Sequence, residues 1–499
     1  MVSGVPDYSA AAVQAQATGL KERQARLLAM DISQWTVPQQ VDYHVVRGEM
    51  NGLEFYHRVL RPWSTDPDFY TPGSLGIRIS ARLPASGEAL ATLKANLEAM
   101  PAALQAARQN LNLPEAKADL VSLALQSVHY DGEAYIELAA GLAKHHPDLV
   151  PAAEKAKAAL DEYGKWLAEN RAQMKGRSGV GKENYDWWLK NVWLMPYTWD
   201  QCWTLAQREY ERTVTATRIE EVKNRKLPQL ELAPNEAEFN KRWQAVEAHV
   251  LKFVSEEPYF TVPDYLVAIG PRPSATWAEH PGRREKALPF FLQVADRDPM
   301  MEVIHNTLGH NFDSLRNRSD SRPIRGDRRL YGLSKARSEA SGFSFEEWLM
   351  HTGILDKAMR GPRGREIIYI AAVYRAVRAM ADLKMHNQEA TYDEANEFEA
   401  AMTPRGWTTR DNFTTWSHRR PTPRIPGNEL GYLVGKVQFE KTLADRARQL
   451  GDKFDFKAFV DEFFAAGMIP VSLIRWEMTG LDDEMKMIWP GKPEPATTK

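Results

Sequence analysis

EVIHNTLGHNFD, residues 302–313, is the stretch on which the reading of this chain turns. Its context is helical, and it places His305 and His310 five residues apart. On a regular helix a five-residue step points the second side chain about 140° away from the first. Two devices bring such a pair together. A π-bulge takes up the extra residue, and π-bulges gather at functional sites. Alternatively, the helix ends at Gly309, whose backbone freedom lets the chain turn before His310. Glu339 lies downstream at the head of a second helical run, EASGFSFEEWLMHTGIL (339–355). Two imidazoles and a carboxylate suit a borderline-soft divalent cation, zinc first, and three protein ligands leave a position for water. The competing reading is two satisfied histidines on a buried helix. In the familiar H-E-x-x-H arrangement the Glu beside the first His is the base; here Asn306 stands there and cannot take a proton.

Upstream, the chain reads as an antiparallel helical array. Residues 86–111, 117–146 and 150–174 are Ala-rich amphipathic runs. Ser86 is a candidate cap for the first, with Ala89 where a reciprocating Glu or Gln would stand. Residues 174–191 hold Gly176, Gly181 and Lys182 at phosphate-loop spacing, but Glu183 replaces the magnesium-binding Ser or Thr and no strand precedes, so a loop is the better reading. Residues 197–224 form a helix capped near Thr198 or Asp200, and residues 236–257 another. The Pro-rich segment 258–277 reads as extended, a short strand or hairpin, and KALPFFLQVAD (286–296) as a second strand.

Downstream, seven arginines fall between Arg316 and Arg337, either as a solvated loop or as a carboxylate-recognising patch. The helix 365–388 carries Arg378, Asp382 and His386 at i, i+4 and i+8, which either staples helices together or supports ligands from behind. Thr391 with Glu394 is a capping box. A Pro-rich loop presenting Arg419, Arg420 and Arg424 leads through Pro426-Gly427 into a long helix carrying Tyr432, and residues 454–478 form a last helical pair.

The bulk numbers set outer bounds. A chain of 499 residues with 43% hydrophobic residues can bury a large core. A net charge of -2 gives no general pull toward nucleic acid or anionic membrane. Cys202 is the single cysteine, which excludes a disulfide framework and a thiolate metal site. The first 20 residues lack the pattern of a signal peptide, and no apolar run reaches membrane-spanning length, so a cytoplasmic location is expected. The 15 tryptophans suggest an aromatic-lined interior or pocket.

On these residues the chain resembles the bacterial "domain of unknown function 885" family, whose signatures look like those of zinc peptidases. The family's H-E-x-x-P-G-H segment is represented by HNTLGH (305–310) and its E-G-W segment begins at Glu339. Its R-x-x-x-D-x-x-x-H helix is matched by Arg378, Asp382 and His386, and its P-G-Q-x-x-x-Y-x-x-G run by Pro426, Gly427, Tyr432 and Gly435. Its final pair is matched by Phe454, Asp455, Phe459, Gly467 and Pro470. The departures are Asn306 for Glu, the missing Pro, and Ala340-Ser341 for Gly-Trp.

The resemblance implies a mainly α-helical, metallopeptidase-like fold with a deep cleft and a small sheet or hairpin beside the metal helix. Residues 1–255 would form an N-terminal helical half, 256–480 the half with the metal site, and 481–499 a flexible tail. His305, His310 and Glu339 would hold zinc. Glu302, Asn306, Arg378 and Tyr432 are the catalytic candidates, with Glu346 and Glu347 as further acids. Arg337 and Arg424 would bind a small carboxylate-bearing substrate, and Asp382 and His386 would support the ligands. The expected activity is hydrolysis of an amide or ester. A metal-dependent lyase or decarboxylase that needs no carboxylate base and acts on a small aromatic substrate, and an inactive binding protein, are the alternatives. A small molecule is the expected partner, a homodimer is compatible, and nucleic acid and membrane are excluded.

Overall fold

The computed structural model describes residues 7–490 except 76, 78, 80–82, 258, 260, 265, 267–268, 271–276, 278–287, 357–360 and 411–421. The fold is mainly helical, and no named strand occurs among the described residues. The chain divides into two compact units, Met1–Arg26 with Leu53–Val180, and Leu27–Gly52 with Gly181–Lys499. The second helix (Val37–Phe55) belongs mostly to the larger unit.

The smaller unit is built on helices Gly87–Asn110, Ala118–His145 and Val150–Asn170. Leu93, Leu97, Leu104, Val121, Leu142 and Leu160 recur at helical spacing and share one core. Ser86 gives no side-chain cap bond. The residue that would reciprocate is Ala89, so the cap has no second half. The glycine-rich stretch ends in Gly181 (φ +80°), just before helix Lys182–Asn191, and Lys182 is paired with Asp200 at 2.5 Å. That pairing is a structural use of the lysine, as the loop reading requires.

The larger unit is organised around helix Arg363–His386, which is buried on nearly every face. It packs against helices Trp199–Lys223, Tyr392–Met402 and Leu430–Leu450. A helix apolar all round belongs in a core, and its charged residues must then be paired. They are: Arg363 holds Glu366 at 2.7 and 2.9 Å, Arg375 holds Glu346, and Arg378 holds Glu429. Capping boxes at Thr198 with Gln201 and at Thr391 with Glu394 start two of the surrounding helices.

One strand expectation fails. The described part of 286–296 enters helix Phe290–Arg297. Phe290 with Val294 and Phe291 with Ala295 are i, i+4 pairs, so the apolar run is a helix face opened by Pro289. The described residues of 258–277 form no strand, and the rest of that segment lies outside the described residues. The tail is not unstructured throughout, because Asp483–Ile488 is helical and buries Met485 and Ile488. Residues 491–499, and Arg419 and Arg420, lie outside the described residues. No helix among the described residues is long and apolar enough to cross a membrane.

A buried charge cluster ties three helices of this unit together. Arg212 grips Glu347 at 2.6 and 2.8 Å, and Lys436 lies 3.2 Å from the same carboxylate. Burial alone would raise the Glu347 carboxyl, but Arg212 and Lys436 outweigh it and hold it at about 2. A depressed folded-state pKa contributes stability that is present above the unfolded pKa of about 4.3 and lost as pH falls through the folded value. Glu347→Gln should therefore cost on the order of 3 kcal/mol at pH 7 and almost nothing near pH 2. Denaturant midpoints measured from pH 7 down to pH 2 check this; a gap between the two proteins that does not close with acid would refute it.

Candidate metal centre

The question set by the five-residue spacing is answered by backbone geometry. Ile304–Asn311 is a π-helical segment between Met300–Val303 and Phe312–Arg318. Its wider turn places positions i and i+5 one above the other. His305 and His310 accordingly meet, Nε2 to Nε2, at 2.9 Å. The helix does not end at Gly309. That glycine serves a close crossing instead, since a Cβ there would strike the Gly342 backbone.

Gly342 sits on helix Lys335–His351, which supplies the rest of the centre. Glu339, Gly342 and Glu346 follow at i, i+3 and i+7, so they share one face. Glu339 Oε2 lies 3.6 Å from His305 Nε2 and 3.4 Å from His310 Nε2. One ligand atom from each of the three residues falls within 4.8 Å of the others. Glu339 Oε1 accepts from Lys335 Nζ at 2.8 Å, whereas its buried Oε2 accepts no hydrogen bond among the described residues.

The set fits a divalent cation. Bonds of about 2.0–2.1 Å in a tetrahedral site put neighbouring donors about 3.3 Å apart, close to the separations seen. A buried carboxylate oxygen without a hydrogen bond, facing two imidazole nitrogens, demands positive charge between them. Burial works against charge on His305, yet Glu339 and Glu346 outweigh it and raise its pKa to about 9. Glu339 is driven the other way: burial would raise it, but Lys335 and both histidines hold it well below the usual carboxylate range.

Behind the ligands stands a pair that the sequence did not single out in this role. His305 Nδ1 meets Glu346 Oε1 at 2.7 Å, and Arg375 clasps Glu346 at 2.7 and 3.0 Å. A carboxylate on Nδ1 fixes the ring and turns Nε2 toward His310 and Glu339. Glu346 is expected from the sequence as an acid of the reaction, and Arg375 is given no role there. The readable signal was the seven-residue step from Glu339 to Glu346, which keeps both on one helix face. His310 Nδ1 lies 3.3 Å from Ser338 Oγ on the same helix.

The centre opens on a cavity of about 390 Å³ that His305, His310, Glu302, Asn306, Arg375 and Tyr432 help to line. Asn306 Nδ2 donates to Glu302 Oε2 at 2.7 Å, and burial raises the Glu302 carboxyl above its ordinary value. Burial also raises the Tyr432 phenol.

Other expected site residues lie elsewhere. Arg337 is fully buried, paired with Asp313 at 2.6 and 3.0 Å and stacked on Phe463 and Phe464, so it cannot meet a substrate. Arg325 is likewise spent on Asp42 and Glu477, at 2.8 Å each. Two of the seven arginines are thus spent inside the fold, neither solvated nor open to an anion. Arg424 is half-buried and does not line the cavity. Asp382 accepts from Tyr185 Oη at 3.1 Å and from the backbone N–H of Gly427 and Glu429 at 3.2 and 2.8 Å. His386 Nε2 lies 2.9 Å from the Thr422 carbonyl. These two hold the 422–429 loop and touch no ligand, so the stapling alternative is the one the geometry supports. Arg378 is paired with Glu429 and lies over the Tyr432 ring at 4.9 Å; it faces the tyrosine and does not line the cavity.

The glycine at 342 is open to a direct test. A Cβ there would come within 2.8 Å of His305 Cε1 and 2.9 Å of Nδ1. Gly342→Ala should displace the imidazole, weakening metal binding by about tenfold or more and costing about 1–3 kcal/mol of stability. Zinc competition against a chromophoric chelator reads the first effect. Unchanged affinity would mean that His305 is not held where the ligand set needs it.

Comparison with known proteins agrees with this architecture. The family model described as "Bacterial protein of unknown function (DUF885)" matches residues 3–264 and 345–478. The stretch between these segments, 265–344, carries His305, His310 and Glu339. A candidate lipoprotein of unknown function from Shewanella oneidensis superposes with a TM-score of 0.71 at 17% identity, covering 95% of this chain and 93% of that one. A candidate lipoprotein from Colwellia psychrerythraea gives 0.72 at 14% identity, covering 95% and 91%. At these identities the likeness establishes the fold. No curated protein matches the sequence.

Proposed function

Because the chain belongs to the bacterial family known as domain of unknown function 885, its chemistry must be argued from its own residues, and we propose a zinc-dependent hydrolase of a small amide or ester. The observation that carries this reading is the convergence of His305, His310 and Glu339 within 4.8 Å beside a cavity. The likeness of this donor set to zinc peptidases supports it. A divalent cation held there supplies Lewis acidity, activating water as a nucleophile and polarising a carbonyl.

The chain's own residues do the rest. Glu346 and Arg375 hold the His305 ring in register. Glu302 takes the place of the carboxylate missing at 306: it lines the cavity, burial raises its carboxyl above the ordinary value, and Asn306 fixes its Oε2. Tyr432 stays protonated in its buried setting and donates its Oη–H to the oxygen on which charge develops. Arg378 positions that ring from behind.

Glu302→Gln should lower kcat by about a hundredfold while leaving metal content intact, which separates a base from a ligand. A second reading, a lyase or decarboxylase that needs no carboxylate base, draws on Asn306 itself; under it, the same variant keeps its activity. The founding experiment is elemental analysis of the full-length protein before and after chelator dialysis, with about one equivalent of zinc expected. A metal-free protein whose stability is unchanged by chelator and by added zinc would end the hydrolase reading.

A further inference from the structure

We propose that the cavity takes an electrically neutral substrate whose reacting carbonyl adjoins an aromatic or branched aliphatic arm, and not a carboxylate-bearing one. This rests on the hydrolase reading and names its substrate class. Beyond the polar groups at the centre, the described side chains of the cavity lining are apolar: Phe239, Trp243, Ile269, Phe291, Leu292 and Ala295. Its volume of about 390 Å³ is near the lower end of small-molecule sites, enough for one compact arm.

This apolar wall is built rather than incidental. Phe239, Trp243 and Glu247 follow at i, i+4 and i+8 on helix Glu236–Glu256. The buried Glu247 carboxylate accepts from the backbone N–H of Ile269 at 2.8 Å and of Gly270 at 3.1 Å. One helix therefore carries two rings of the wall and fastens the segment that brings Ile269 to it. Such fastening holds the wall in shape before a ligand arrives.

The charges argue the same way. A buried carboxylate needs a partner, and the described cations nearest the centre are already committed. Arg375, the one cation among the described lining residues, spends its fork on Glu346 and has Phe291 and Phe343 rings at 5.2 and 5.1 Å. Arg378 is held by Glu429, Lys335 by Glu339, and Arg337 by Asp313. Glu302 adds a carboxyl to the lining, which would repel a second one. A neutral arm meets none of these penalties and gains the contact of the apolar wall.

Two hydroxamic acids test the idea on zinc-loaded, full-length protein, because a hydroxamate anchors each at the metal whatever its arm. Isothermal titration should show benzohydroxamate binding at least about tenfold tighter than the monohydroxamate of succinate. Leu292→Lys places a cation in the wall and should narrow or invert that ratio. Equal binding, or preference for the succinate compound in the unaltered protein, overturns the proposal. Failure of both to bind overturns it as well, and zinc content of the same sample says what failed. Zinc retained places the fault in the cavity wall; zinc lost places it in the metal site and in the hydrolase reading itself.

Discussion

Glu339→Gln protein should emerge from purification with less than about a tenth of the zinc held by the unaltered chain. Ligand contributions add to first order. Protein zinc sites bind with about 10–16 kcal/mol, so removing one of three ligands takes on the order of 4 kcal/mol, a thousandfold in affinity. Glu339 is the anionic ligand, and its Oε2 is the atom left without a hydrogen bond between the two imidazoles. The amide keeps the shape and removes the charge. Lys335, whose Nζ holds Oε1 at 2.8 Å, is about a quarter exposed and can turn to solvent. The fold should therefore survive, and far-ultraviolet circular dichroism confirms it in the same sample. Equal zinc in both proteins would show that the three residues are not the ligand set.

The largest stability effect is expected at a pair with no part in the chemistry. Asp313→Ala removes the partner of a guanidinium that has no exposed surface. An uncompensated buried charge costs about 3–5 kcal/mol. Burial pushes the Asp313 carboxyl up, while Arg337 opposes that rise, as a tightly held buried pair requires. Replacing both members, Arg337→Met with Asp313→Leu, should recover most of the loss, because the desolvation of both charges disappears together. Phe463 and Phe464, at 4.5 and 4.8 Å from the guanidinium carbon, already provide apolar walls for the methionine. Guanidinium denaturation compares the three proteins. A double variant no better than the single one would show that packing, and not charge, is what the pair supplies.

How much of this was legible in the chain depends on the distance over which each feature is decided. The capping box at Thr391 is read within four residues and stands as expected, and of the two caps offered, Thr198 or Asp200, Thr198 is the one that forms. The strand assigned to 286–296 failed because Phe290, Phe291, Val294 and Ala295 suit either a buried strand or a short helix face, and neighbours decide between them. The cations misled for a related reason. Arg337, Arg378 and Arg424 were read as substrate-facing by type alone. Asp313 and Glu429, which claim the first two, lie 24 and 51 positions away along the chain.

By itself the sequence determined that this is a mainly helical protein with a π-bulge or a helix break between His305 and His310, and it nominated Glu339 as their companion. Helical periodicity, caps and donor type are local properties, and a local reading reaches them. Only the tertiary structure decided between bulge and break, turned Glu346 from a reacting acid into the support of His305, and gave Arg375 its place beside it. It also moved Asp382 and His386 from the ligands to the 422–429 loop. The physical reason is the close crossing at Gly309 and Gly342, where two helices approach until a Cβ would no longer fit. How near two helices come, and which charges that approach forces together in the dark of the core, is a property of packing that no stretch of sequence carries alone.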